Sequence, residues 1–260
     1  MKINRSAPSL AIVVTLIALP ALRAAEIKVV TSGAFTAPYL ELAPQYERAT
    51  HNKLTTEFGA SMGSTPDVIP RRLERGEVID VVIMAAPALE ELIRQGKVRQ
   101  GSRVDLVRSR IGMAVRAGAP KPDISTLDAL KRTLLAARSI AYSGSASGVY
   151  LSMELFPRLG VDHAKMKQIE GEPVGAVVAR GEAEIGFQQM SELRPVKGID
   201  IVGPLPEGAQ RVTIFAAGIP VVSRAPDAAR GLIQWLASPA THAVVVKSGL
   251  EPVQARAAAK

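Results

Sequence analysis

From Glu26 onward the chain repeats one pattern: a short β-branched run, then a stretch whose apolar residues recur every three or four positions. Residues 27–30, 54–58 and 80–85 are runs of this kind, each followed by a helical pattern. The alternation restarts with a strand-like run at 110–116, a helical pattern near 127–137, a strand at 139–143 and a helix beginning near Ser147. Strands alternating with helices can bury both sheet faces only in an α/β layer structure, with each sheet mainly parallel and flanked by helices. Phe35, Tyr39, Leu42, Ala43 and Tyr46 form one apolar stripe on the first helix and are read as core.

Two interruptions divide the pattern. Residues 96–108 are rich in Gly, Ser and charge, and the Pro/Gly-rich stretch 203–208 leads into an apolar strand at 212–217. Taken as crossovers, they predict a two-lobed molecule hinged at two crossings. Residues 26–105 and 218–260 form the first lobe, with C-terminal helices near 227–237 and 239–248, and residues 106–217 form the second. No repeat of solenoid period is present, and the alanine-rich tail 255–260 is read as a terminus.

Residues 1–25 are set apart from the fold. Lys2 and Arg5 precede an apolar run at 10–22 that is short for a bilayer span, so the segment reads as a secretory signal cleaved near Ala24 or Ala25. A retained N-terminal anchor is the alternative, and either way the remainder is expected outside the cytoplasm, in the periplasm. The chain has no cysteine, which excludes disulfides and a cysteine-linked lipid anchor. Its charge of +8 falls to +5 once Lys2, Arg5 and Arg23 leave with the signal. The remaining basic residues are interspersed with acids and only 4% of residues are aromatic, which argues against nucleic acid and for a small anionic ligand.

Three loops share one design, following a strand, consisting of small residues and opening a helix. They are Thr31-Ser32-Gly33-Ala34, Gly59-Ala60-Ser61-Met62-Gly63-Ser64-Thr65 and Ser143-Gly144-Ser145-Ala146-Ser147-Gly148. Small side chains admit a ligand to the backbone, and helix N-termini offer unpaired N–H groups to an oxyanion. Any one loop is an ordinary helix start, with Ser64 or Thr65 capping and Pro66 in the first turn of the second helix. Three together point to an anion site containing Ser32, Gly33, Ser61, Met62, Ser145 and Ser147. Arg71 and Arg72, early in the second helix, are candidates to fork onto a carboxylate. Asp80 and Glu172 are the carboxylates nearest these loops, with strand-end hydrogen bonding as the alternative role. His51, His163 and His242 are far apart and no thiol accompanies them, so neither a metal nor another cofactor is expected.

At Thr31-Ser32-Gly33-Ala34, residues 76–84, Ser147-Gly148-Val149-Tyr150 and Val174-Gly175-Ala176-Val177, the chain resembles the molybdate-binding branch of periplasmic solute-binding proteins, over residues 27–251. The resemblance implies a type II binding-protein fold, two lobes closing on a tetrahedral oxyanion. By position it assigns ligand contacts to Ser32, Gly33, Ala34, Ser61, Ser147, Pro173 and Phe187. Ala34 and Phe187 stand where the family carries hydroxyls, and Gln188 and Gln189 adjoin the ring, which implies a larger organic anion such as a di- or tricarboxylate. Bacterial aconitate isomerases also resemble this family. Two main readings result: a monomeric carrier that delivers its ligand to a membrane permease, or a cofactor-free isomerase in which Glu172 or Tyr150 shuttles an allylic proton. A molybdate or tungstate carrier is the third.

Overall fold

Two separate sheets organise the computed structural model, which describes residues 24–253. The first lobe runs β1 (Glu26–Thr31), α1 (Gly33–Thr50), β2 (Lys53–Phe58), α2 (Ile69–Glu74), β3 (Val81–Ala85), α3 (Ala86–Arg94) and β4 (Val104–Ser109). The second follows with β5 (Ile111–Arg116), α4 (Leu127–Ala136), β6 (Ile140–Ser143), α5 (Ala146–Tyr150), a π-turn (Leu151–Leu155) and α6 (Phe156–Leu159). It continues through β7 (Met166–Ile169), α7 (Val174–Ala179), β8 (Ile185–Gln189), α8 (Met190–Leu193) and β9 (Ile199–Pro204). The chain then returns to the first lobe as β10 (Thr213–Gly218), α9 (Pro226–Leu236), α10 (His242–Lys247) and β11 (Glu251–Pro252). The stretch read as a secretory signal, up to Arg23, and the tail from Gln254 lie outside the described residues.

The strand orders are β11-β4-β10-β3-β1-β2 and β7-β6-β8-β5-β9. Both sheets are mixed: parallel pairing is confined to β2-β1-β3 in one and β7-β6-β8 in the other. These are the strands joined by helices. Antiparallel pairs arise where the chain changes sheet, because Arg110 alone separates β4 from β5 and leaves no room for a helical crossover. β4 and β10 belong whole to the first sheet. The sheet boundaries therefore fall at Arg110 and within 205–212, a few residues inward of the expected 105 and 218.

β3 is buried along its whole length, as expected of a strand covered on both faces. On one face Phe35, Tyr39, Leu42 and Tyr46 of α1 pack with Leu232, Ile233 and Leu236 of α9. Ile69, Leu73, Leu89 and Leu92 cover the other face. Each of these side chains contributes roughly 1.5–3 kcal/mol relative to exposure. The second lobe centres on Phe156, whose ring meets those of Tyr142 and Phe187 at 5.9 and 5.8 Å. α2 begins later than the loop chemistry predicts: Val68 is its N-cap and Pro70 lies in its first turn, while Ser64 and Thr65 stay in the preceding bends.

The hinge strands are tied to the second lobe by a buried amide. The Gln189 side chain accepts from the Ser109 hydroxyl at 2.7 Å and donates to Thr213 Oγ1 at 3.5 Å, joining the end of β8 to the end of β4 and the start of β10. Among the described residues no helix is long and apolar enough to cross a membrane.

Candidate functional site

The C-terminal ends of the parallel strands in both sheets lead into small-residue loops, and these loops meet across the cleft. The Ser64 hydroxyl of the first lobe donates to both oxygens of the Glu170 carboxylate of the second, at 2.9 and 3.1 Å. Met62, Gly63 and Ser64 share a cavity of about 290 Å3 with Ser143, Gly144, Val149, Ser152, Gln168 and Glu170. The first helix of one lobe packs against the short α8 of the other.

A second contact between the lobes joins Gly33, itself exposed, to the half-buried Glu192. The Glu192 carboxyl occupies the space that a Cβ at Gly33 would need, so the cleft closes this far only because position 33 has no side chain. Glu192 is the third residue of α8, and its carboxylate reaches back to the Gln189 backbone N–H at the N-cap, half of a capping box. It also accepts from Gln188 Nε2 at 3.0 Å. Burial pushes its carboxyl up to about 7 in spite of these two donors.

Beside this contact stand two hydroxyls, Ser32 Oγ and Ser191 Oγ, that are buried and find no hydrogen-bond partner among the described residues. Leaving a buried hydroxyl unpaired costs about 1–3 kcal/mol. Two of them on touching segments mark a place prepared for another polar group. Ser32 is the N-cap of α1 but makes no side-chain cap, which leaves its oxygen free for another role.

The other predicted contacts divide into two groups. Ser61 is fully buried and its Oγ accepts from the Ala85 N–H at 2.8 Å, keeping its own proton available. Ser147 is buried 3.1 Å from Ser143 Oγ, and Ser145 is the N-cap of α5 without a side-chain cap. Met62 lines the shared cavity, and exposed Pro173 is the N-cap of α7. These residues gather at the cleft loops with Ser32 and Gly33. Gln188 is buried between α7 and α8, its Oε1 accepting from the Val174 N–H at 3.0 Å.

The structure places the remaining expected residues in packing, ion-pair or exposed positions. Phe187 is fully buried in the second core against Phe156, because alternation along β8 turns it away from the side where Gln188 meets Glu192. Ala34 points into the first core, leaving only its backbone near the loop. Arg72 is buried and forked between Glu57 and Glu77, far from free to clamp a substrate. Arg71 is exposed and lines, with Glu74 and Arg75, a pocket of about 520 Å3 that shares Met62 and Gly63 with the cavity between the lobes. Glu172 is exposed and paired with Arg180 at 2.9 Å. The Tyr150 hydroxyl donates to the Ala209 carbonyl at 2.9 Å under the Arg211 guanidinium, bracing the second crossover. Asp80 accepts from the Lys28, Arg224 and Ala225 N–H groups and the Ser223 hydroxyl, the strand-end role. The three histidines join no metal-binding group among the described residues.

Sequence reasoning missed Glu192 and Ser191. They lie in a helix of only four residues, which gives no periodicity by which to recognise it.

A relative 51% identical over 256 residues, spanning 96% of this chain and 98% of its own length, is an aconitate isomerase from a Pseudomonas species. The molybdate-binding protein ModA of Azotobacter vinelandii is 27% identical over 243 residues, 88% of this chain and 91% of its own. Among solved structures, the periplasmic molybdate-binding protein of Azotobacter vinelandii superposes with a TM-score of 0.71 at 21% identity, covering 88% of this chain and all of that one. The sulfate-binding protein SubI of Mycobacterium tuberculosis gives 0.70 at 17%, covering 88% of each. These likenesses identify the two-lobed fold, and the sequence profile described as bacterial extracellular solute-binding protein matches residues 27–251. The chain belongs to that family of solute-binding proteins.

Proposed function

We propose that the protein is an exported isomerase that interconverts cis- and trans-aconitate, with Glu192 as its proton shuttle. The observation that carries this reading is the placement of the half-buried Glu192 carboxyl, which desolvation pushes up toward neutrality, where the two lobes meet beside two unpartnered hydroxyls. Support comes from the 51% identical aconitate isomerase, which aligns along nearly the whole chain.

The lobes close on the tricarboxylate, whose carboxylates take hydrogen bonds from Ser32, Ser191, Ser61, Ser147 and backbone N–H groups of the loops. Ionised Glu192 removes a proton from the methylene carbon. The released pair becomes the new C=C bond, the old π pair moves to the far allylic carbon, and protonated Glu192 returns the proton there. Nothing is oxidised, and no cofactor enters the balance. A base with a pKa near 7 is matched to this task, and the closed cleft keeps bulk water from exchanging the proton.

Membership of a solute-binding family supports a second reading, a monomeric carrier that hands an anion, a carboxylate or molybdate, to a membrane permease. NMR of trans-aconitate incubated with purified protein separates the two. An isomerase drives the isomers to equilibrium, whereas a carrier leaves their ratio unchanged. In deuterated water an enclosed shuttle returns mostly the original proton, so isomerisation should outrun deuterium incorporation. For export, the periplasmic form should begin near Ala24 or Ala25 by intact mass.

A further inference from the structure

We propose that Gln188 is the positioning residue of Glu192: its side-chain amide, oriented by the main chain of α7, offers the carboxyl a hydrogen-bond donor and nothing else. The inference rests on the isomerase reading for its catalytic meaning, but its geometry stands independently.

An amide side chain has two ends, one an acceptor and one a donor, and the wrong end toward a carboxylate repels it. Here the choice is forced. The Val174 N–H can only donate, and it lies 3.0 Å from one end of the amide, so that end must be the oxygen. The other end is then the NH2 group, 3.0 Å from Glu192 Oε1. Gln188 lies in the wholly buried strand β8 and cannot turn to solvent to relax the arrangement. One backbone N–H of α7 therefore sets the polarity of the amide, and the amide sets the position of the carboxyl facing Gly33.

No charged side chain takes part in this balance. Burial favours the neutral acid, while the Gln188 amide and the Gln189 N–H favour the carboxylate. Arg194, two residues on, is turned away to the Lys247 carbonyl. The donor from Gln188 thus keeps an enclosed acid ionisable near neutrality, and also holds it where α1 meets α8.

Two variants test this. Gln188→Glu keeps an acceptor for the Val174 N–H but replaces the amide donor with a second carboxyl, whose like charge adds to the effect. Gln188→Met removes both at similar volume. In each, the acid limb of the pH profile of kcat/KM for aconitate should move up by about one unit or more. At pH 7 kcat should fall about 10-fold, with KM within about 2-fold. A purely structural role would lower the melting temperature and leave the limb in place. The independent readout is carboxyl-13C NMR titration of glutamate-labelled protein, with the Glu192 signal assigned by its loss in Glu192→Gln. Its midpoint should rise in Gln188→Met, which introduces no charge beside Glu192. A midpoint that stays put in the folded variant overturns the proposal whatever the activity. A midpoint that moves in protein that turns over no aconitate supports the hold of Gln188 on Glu192 and removes the isomerase reading instead.

Discussion

Gly33 and Glu192 belong to different lobes, and the carboxyl of one fills the place where the other would carry a side chain. A methyl group at position 33 would have to displace that carboxyl, so Gly33→Ala should push the Glu192 side chain out of its place. We expect kcat/KM for aconitate to fall roughly 10- to 100-fold, the scale of misplacing a reacting group by about 1 Å. The rise in melting temperature on adding trans-aconitate should shrink in parallel.

Glu192→Gln keeps the size and hydrogen-bonding reach of the side chain and removes the base. Turnover should fall by about 100-fold or more while trans-aconitate binding, measured by calorimetry, changes by only a few-fold. In the unmodified protein kcat/KM should rise with pH through about 7 as the carboxylate forms. A variant that retains full turnover would remove Glu192 from the chemistry.

The same group makes a stability prediction. Burial raises its folded pKa to about 7, above the ordinary 4.5. The folded state therefore binds the proton more tightly, and the associated stability is present below pH 4.5 and lost as pH climbs through 7. The slope is at most about 1.4 kcal/mol per pH unit. Urea melts of Glu192→Gln across that window should lack this component.

Arg72 behaves oppositely. Its hydrogen bond to Glu77 heads the causes that hold that carboxyl down at about 2, against the opposing effect of burial. Stability from this pair is present above the ordinary 4.5 and lost as pH falls toward 2. Arg72→Leu should cost roughly 1–2 kcal/mol in urea melts at pH 7, because Glu57 and Glu77 are partly exposed and keep Lys28 as a partner. The affinity for aconitate should be unaffected in the fraction that folds.

Glu172→Gln should leave turnover within about 2-fold, because the carboxylate it removes is exposed and paired with Arg180. Tyr150→Phe should lose about 1 kcal/mol in the same melts, the worth of its bond to Ala209, without changing the acid limb of the pH profile. A shifted limb in Tyr150→Phe would return that phenol to the mechanism.

What the sequence determined by itself is local. Apolar period and strand-ending small residues marked the α/β layers, the core face of α1 and the loops around Ser32, Ser61 and Ser147, because each signal spans a few neighbouring positions. Tertiary structure decided what those signals were for. Phe187 and Gln188 are adjacent in a buried strand, and only strand alternation against a particular core sends one into packing and the other to Glu192. Arg72 reads as a free cation until Glu57 and Glu77 are brought to it. Glu192 carries no signal of its own in the sequence, and gains its place only when Gly33, 159 positions earlier, is brought against it. Burial by distant chain, not residue type, gives that carboxyl its unusual ionisation, and no window along the chain contains both partners.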